Sequence, residues 1–218
     1  MVTVRGSSGS VESRLMAGVL RCPSCGGVLA PWGHARRRLV AVPAGWEEFW
    51  PRRGRCRGCG RTHVLLPADL WSRRRYGAAV IMAVLVLAAQ AAAAGRAAAR
   101  PWLVVPGGGR RLVPASTARS WRSRFGARAS VLREQLTRLL PLVDPAARVL
   151  VPAGSGGGDC LAVLEAVTAG LAHRFPAVAA VSAHEVAAHL SGGLWLAPAV
   201  PVLGFNTTLL SADAVVPS

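Results

Sequence analysis

The alternation of hydrophobic and polar positions changes character along the chain. Between Leu20 and Pro67 the apolar runs are short: Leu39-Val40-Ala41-Val42, Trp46-Glu47-Glu48-Phe49-Trp50 and Val64-Leu65-Leu66, broken by Pro43, Pro51 and Gly54. Runs of this length with β-branched and aromatic residues predict short strands. Ahead of them, residues 1–14 are rich in Gly, Ser and Val and predict a loose segment. Residues 76–95 then run without a charge, and a helical pattern continues through 96–100 to Pro101. Residues 102–109, with Pro106 and three glycines, break any helix. Ser116 or Thr117 is a suitable N-cap for the next helix, in which Ala118, Trp121 and Phe125 recur at i, i+3 and i+7. A helix at 129–140 turns Leu132, Leu136, Leu139 and Leu140 inward and spaces Glu134 and Arg138 for an i,i+4 pair. Beyond the strand-like 149–151, helices at 159–174 and 177–190 follow a Gly-rich 154–159 that reads as a flexible linker, and the Gly/Pro-interrupted 192–210 should cover a core. The pattern is α+β: a small β unit, a mainly helical region, and a short helical C-terminal region. It divides as 1–14, 15–70, 71–142 and 143–218.

The chemistry concentrates in the β unit. Cys22-Pro23-Ser24-Cys25 and Cys56-Arg57-Gly58-Cys59 are each followed by glycine, and thirty residues separate the two pairs. Two such turns present four thiolates tetrahedrally to zinc, the glycine relieving crowding, and the interval holds a β-hairpin; zinc ribbons are built that way. Two disulfides are the alternative, and they need an oxidising compartment. No secretory leader pattern precedes Cys22, so the expectation is a structural Zn2+ on Cys22, Cys25, Cys56 and Cys59 in a cytoplasmic protein. His34 and His63 lie near the pairs as possible substitute ligands or surface contacts. Cys160 stands alone, a buried small residue before a nucleophile.

Charge sharpens this reading. The net charge is +16, and every basic residue is Arg. Up to Arg138 there are 24 Arg against five acids, a net +19; after it two Arg face five acids, a net −3. The front suits a polyanion and the rear a packing or partner-binding role. A hydrophobic content of 52% argues against intrinsic disorder. Arg36, Arg37, Arg38, Arg52, Arg53, Arg55, Arg57 and Arg61 interleave with Trp32, Trp46, Phe49 and Trp50 around the cysteine turns, which suits nucleic acid, although a unit this small also needs aromatics as its core. In the helix after Pro114, the apolar stripe leaves Thr117, Arg119, Ser120, Arg122 and Ser123 on or beside the opposite face. That is how a recognition helix for the major groove divides its surface, and equally how a solvated basic helix does. Ser116, Thr117, Arg119, Ser120 and Arg122, with Arg36, Arg37 and Arg38, are the expected DNA contacts.

Other signals fail. Residues 76–95 are long enough for a membrane span, but their Ala content, Gln90 and Arg on both flanks favour a buried helix. His184 and His189 are five positions apart, on different helix faces, and do not form a metalloprotease pair. The glycine run at 154–158 lacks the Lys of a P-loop and the last Gly of a dinucleotide fingerprint. No constellation assigns a catalytic residue.

The order of motifs resembles the N-terminal halves of bacterial insertion-sequence transposases: R-C-P-S-C-G-G, then His34 to Arg38 as H-x-R-R-R, then R-C-R-G-C-G-R-T-H and L-L-P. More specifically, R-C-P-S-C-G through P-A-D-L, R-R-R-Y, V-P-A-S-T-A-R-S-W-R-S-R-F, S-G-G-x-x-L at 191–196 and N-T-T at 206–208 are similar to an actinobacterial family of small, transposon-associated helix-turn-helix proteins without a catalytic domain. In that family the first helix of the pair runs into L-G-V-P-x-S-T, whereas here 101–109 stands as an insertion. The resemblance implies a zinc ribbon, a helix-turn-helix, double-stranded DNA as partner, and a transposase or transcription partner. A zinc-ribbon module for protein interaction and a membrane-anchored zinc-ribbon protein with a span at 76–95 are the alternatives.

Overall fold

The N-terminal segment, expected to be loose, is a strand followed by a helix. A computed structural model of the chain describes residues 2–6, 8–71, 75–104, 109–147, 156–176, 180–197 and 201–205. Strand β1 (Val2–Val4) pairs in parallel with β6 (Thr62–Pro67), Val2 opposite Leu65, and all three of its residues are buried. Helix α1 (Ser8–Met16) lays Val11 and Leu15 on the sheet. A three-residue strand has no periodicity to read; it is held by a partner sixty residues away in sequence.

The sheet order is β1-β6-β5-β2, with β2 (Leu29–His34) and β5 (Arg52–Cys56) antiparallel neighbours. The expected apolar strands appear as β3 (Arg38–Val42), β4 (Gly45–Phe49) and β6, with β3 and β4 forming a separate hairpin. Strands β2 and β5 were not expected, because they contain Pro31, Gly33 and Gly54. Pro31 is tolerated because β2 is an edge strand whose register shifts between Pro31 and His34. Gly54 does not break β5: a Cβ there would sit 3.3 Å from the Leu29 Cβ and 3.5 Å from Leu15 Cδ1, so it admits close packing under α1.

Helix α2 (Ala78–Ala93) buries Val80, Ile81, Val84 and Leu85 in the helical core. No helix among the described residues is long and apolar enough to cross a membrane. The helix does not continue through 96–100. The Gly95 N–H bonds the Ala92 carbonyl and the Arg96 N–H bonds that of Ala91, with Gly95 at φ +62°, a left-handed C-terminal cap that stops the helix. The insertion at 101–109 contributes to a hairpin of β7 (Trp102–Val104) and β8 (Arg110–Leu112). Helices α3 (Ala115–Gly126) and α4 (Ala129–Val143) follow, two residues apart. The N-cap of α3 is Pro114, not Ser116 or Thr117: its extended backbone at φ −52° already leads into the first turn, and no side chain caps it.

Helix α5 (Gly156–Arg174) begins three residues before the expected start, so Gly156, Gly157 and Gly158 form its first turn rather than a linker. Gly157 packs there on Phe125, 3.4 Å from a Cβ position. Helix α6 (Ala183–Leu190) starts at a reciprocal cap between Ser182 and Glu185. Of the tail expected to cover a core, Trp195, Leu196 and Leu203 are buried, and Gln135 clamps it by accepting the Leu203 N–H and donating to the Pro201 carbonyl. The strand-like 149–151, residues 154–155, 177–179 of the expected helix, and 206–210 lie outside the described residues. Among the described residues the architecture is a mixed one, a small sheet and six helices, compatible with α+β.

Candidate metal centre and basic surfaces

The two cysteine turns fold identically because their sequences repeat. In each, the first cysteine donates its N–H to the carbonyl five residues on (Cys22 to Gly27, 2.8 Å; Cys56 to Arg61, 2.8 Å), and the glycine four residues on donates back to it. Gly26 and Gly60 adopt φ +71° and +73°, which a side chain would strain, and nothing lies within 4 Å of a Cβ at either. They supply conformation. The crowding is relieved by Gly27, where a Cβ would lie 3.0 Å from Cys56 Sγ.

These turns bring Cys22, Cys25, Cys56 and Cys59 together with all four sulfurs within 4.8 Å of one another, a group that could hold a metal ion. Cys22 and Cys59 sulfurs are 3.7 Å apart and Cys25 and Cys56 sulfurs 3.4 Å, far beyond a disulfide bond. A tetrahedron with metal–sulfur bonds of about 2.3 Å has edges of about 3.8 Å, so the spacing fits such a site. Backbone N–H groups already point at the sulfurs, from Ser24 to Cys22 at 3.4 Å and from Gly58 and Cys59 to Cys56 at 3.3 and 3.4 Å. The Cys56 pKa is lowered to about 6, first by the Cys59 backbone bond. For Cys22 burial opposes ionisation, yet the backbone bonds from Ser24 and Cys25 and the neighbours Cys59 and His63 bring it to about 7. For Cys25 the Gly27 backbone bond favours the thiolate, but the neighbouring thiols of Cys56 and Cys59 prevail and raise it to about 11. A donor set of four sulfurs crowded in this way suits a soft or borderline divalent ion.

His63 is not a surface contact. It is buried on β6, with its Nε2 3.3 Å from Cys22 Sγ, and the group of four close sulfurs does not include it. Its position next to a strand-forming run carries no local signal of that role; the Gly54–His63 register of β5 and β6 creates it. His34 is exposed in β2.

The expected DNA-facing residues fall in two places. On α3, Ala118, Trp121 and Phe125 are buried, Ser116, Arg119, Ser120 and Arg122 are exposed, and Thr117 is half-buried. Arg119 and Arg122 border a cleft of about 150 Å³ shared with Val84 of α2 and with Ala98, Ala99 and Arg100 beyond its end. Arg36, Arg37 and Arg38 lie instead at the start of β3. Arg37 pairs with Glu48 at 2.7 Å, Arg38 is half-buried with its pKa lowered by burial, and Arg36 is exposed. The aromatics also divide. Phe49 is buried and Trp46 packs at the helical core against Tyr76, whereas Trp32 and Trp50 remain exposed.

Elsewhere the chemistry is structural. His184 donates to or accepts from Ser182 Oγ at 3.1 Å and has its pKa lowered by burial, while His189 is buried, so the two do not converge. Cys160 is buried and its thiol pKa is pushed up to about 12 by burial. Asp69 reaches solvent in the turn after β6, yet burial of its carboxyl, then Glu185 and Glu47, raise its pKa to about 6.

Residues 22–102 of the chain are similar to a family described as "Domain of unknown function (DUF6431)". That segment opens on the first cysteine of the metal group, contains all four, and ends at the first residue of β7, before α3. No curated protein and no solved structure matches the chain.

Proposed function

We propose that the chain is a non-catalytic DNA-binding protein of helix-turn-helix type, with α3 as the helix that enters the major groove and a structural Zn2+ on Cys22, Cys25, Cys56 and Cys59 holding a zinc ribbon. One observation carries the reading: α3 spends its whole apolar stripe on the core and presents Ser116, Arg119, Ser120 and Arg122 outward from its first turns. Arg pairs bidentately with guanine, and Ser contacts phosphate or base edges. Helix α2 backs α3, and Arg110 and Arg111 on the intervening hairpin are exposed beside it, placed for phosphate contact. The hairpin replaces the tight turn of an ordinary helix-turn-helix, so α3 is oriented by packing of Ala118, Trp121 and Phe125 rather than by the turn. The zinc supplies the β unit with its cross-link. The resemblance to transposon-associated proteins points to an accessory role in transposition or transcription, with a transposase or transcription factor as partner.

Mobility shifts on random duplex DNA test the reading. Binding should weaken steeply with salt, and Arg119→Glu should weaken it at every salt concentration. Absence of any shift at low salt, or an unchanged Arg119→Glu variant, refutes it.

A further inference from the structure

Strand alternation gives the four-stranded sheet two unlike faces. Arg52, Gly54 and Cys56 point to the α1 side, where Arg52 pairs with Glu12 at 2.6 Å and Gly54 lies under Leu15. Arg53 and Arg55 therefore point to the other side. There Arg55 stands in register with Ala30 on β2 and Thr62 on β6, and Arg53 with Val64. This outer face is covered at one end, where Leu66 packs with Val40, Phe49 and Leu70 beneath the β3–β4 hairpin. Its other end is open. The Arg55 guanidinium lies 4.6 Å from the centre of the Trp32 ring, and Trp32 is 50% exposed. Arg57 and Arg61 extend the basic row to the tip of the second cysteine turn, both exposed. Strands β2, β5 and β6 contain no carboxylate, and none of these four arginines makes an ion pair among the described residues.

Arg55 also donates to the Gly60 carbonyl and Arg61 to Ser24 Oγ, so these two are held in place without their charge being neutralised. An exposed indole already stacked on a guanidinium, set in a row of cations without carboxylate partners, matches the chemistry of bases alternating with phosphates. The shape selects which form of nucleic acid. The major groove admits a helix or a two-stranded ribbon, whereas three strands at about 4.8 Å spacing plus side chains are too wide for it. A single strand, whose bases can splay onto a flat face, has no such restriction. We propose that this open end of the sheet binds single-stranded nucleic acid, with a base stacked on Trp32 and phosphates on Arg53, Arg55, Arg57 and Arg61. This site is distinct from the duplex-facing surface of α3.

The test compares the full-length, metal-loaded protein on three labelled probes by fluorescence anisotropy: a 15-nucleotide oligo(dT), an abasic strand with the same number of phosphates, and a duplex. The expected result is at least about fivefold tighter binding of oligo(dT) than of the abasic strand, the scale of one stacked base. Trp32→Ala should abolish that preference and Trp32→Phe should keep most of it. Arg55→Glu should weaken both single strands, with metal content and duplex binding unchanged in all three variants. Equal binding of oligo(dT) and the abasic strand by the unmodified protein overturns the proposal, as does a Trp32→Ala variant that retains the preference. Arg119→Glu separates the two surfaces: it should lower duplex binding and leave the oligo(dT) preference intact, and loss of that preference would also refute the separate site.

Discussion

The β unit and the helical unit bury apolar side chains on very different scales. Among the described residues, the buried cluster beneath α1 has nine members, two of them, Cys22 and Cys56, thiols of the four-cysteine group. The helical cluster has thirty-two among the described residues, including Trp71, Trp121, Phe125 and Trp195, with Phe125 stacked on Trp195 at 6.3 Å and Tyr76 edge-on to Trp121 at 4.9 Å. Those nine side chains and the four of the second small cluster, Val40, Phe49, Leu66 and Leu70, are few against the ordering of some sixty residues, whereas the helical core is large enough to stand on burial. The contrast makes the proposed Zn2+ a cross-link for the β unit first.

Removing the metal should have the largest effect. Structural zinc sites contribute about 10–16 kcal/mol in small domains, so chelation or Cys56→Ser should abolish amide protection in β5 and β6 while α4 and α5 remain protected. Uniform loss of protection across both units would show that they unfold as one. A cut into the helical core should act the opposite way. Leu136 of α4 is fully buried in the helical core, so Leu136→Ala should cost about 2–5 kcal/mol by denaturant unfolding with one metal per chain retained.

Smaller effects sharpen the boundary between the units. Gly95 ends α2 at φ +62° with open space around its Cβ position, so Gly95→Ala should cost about 1–2 kcal/mol of backbone strain and leave metal binding unchanged. The smallest effect concerns Asp69, whose carboxyl faces Glu185 of α6 and Glu47 of β4. Its folded-state pKa of about 6 lies above the ordinary 3.8, so protonation favours the folded form below about pH 4 and that contribution disappears as the pH rises through 6. Asp69→Asn should therefore flatten the fall in Tm between pH 4 and 6, and an unaltered slope would remove Asp69 from the junction.

What was legible in the sequence was legible because it is local. The C-x-x-C-G repeats specify their own turns through hydrogen bonds no more than five residues long, and the Ala118-Trp121-Phe125 stripe announces α3 by its period alone. Strands β3, β4 and β6 are apolar enough to read. By contrast, β1, β2 and β5 contain a three-residue run, a proline and an arginine cluster, and they become strands only because neighbours from elsewhere in the chain pair with them. The start of α5 at three glycines was hidden for a related reason: glycine lowers intrinsic helicity, and packing on Phe125 compensates.

The sequence by itself therefore determined the four clustered thiols, the burial of the first half of α2 and the two-faced helix α3, since spacing and periodicity act within a few residues. Tertiary structure alone decided that the N-terminus completes the sheet, that His63 lies against Cys22, that 102–104 pairs with 110–112, and that Arg55 lies over Trp32. Each of those depends on strand register between residues far apart in sequence, and register is set by which faces are buried once the whole chain is packed.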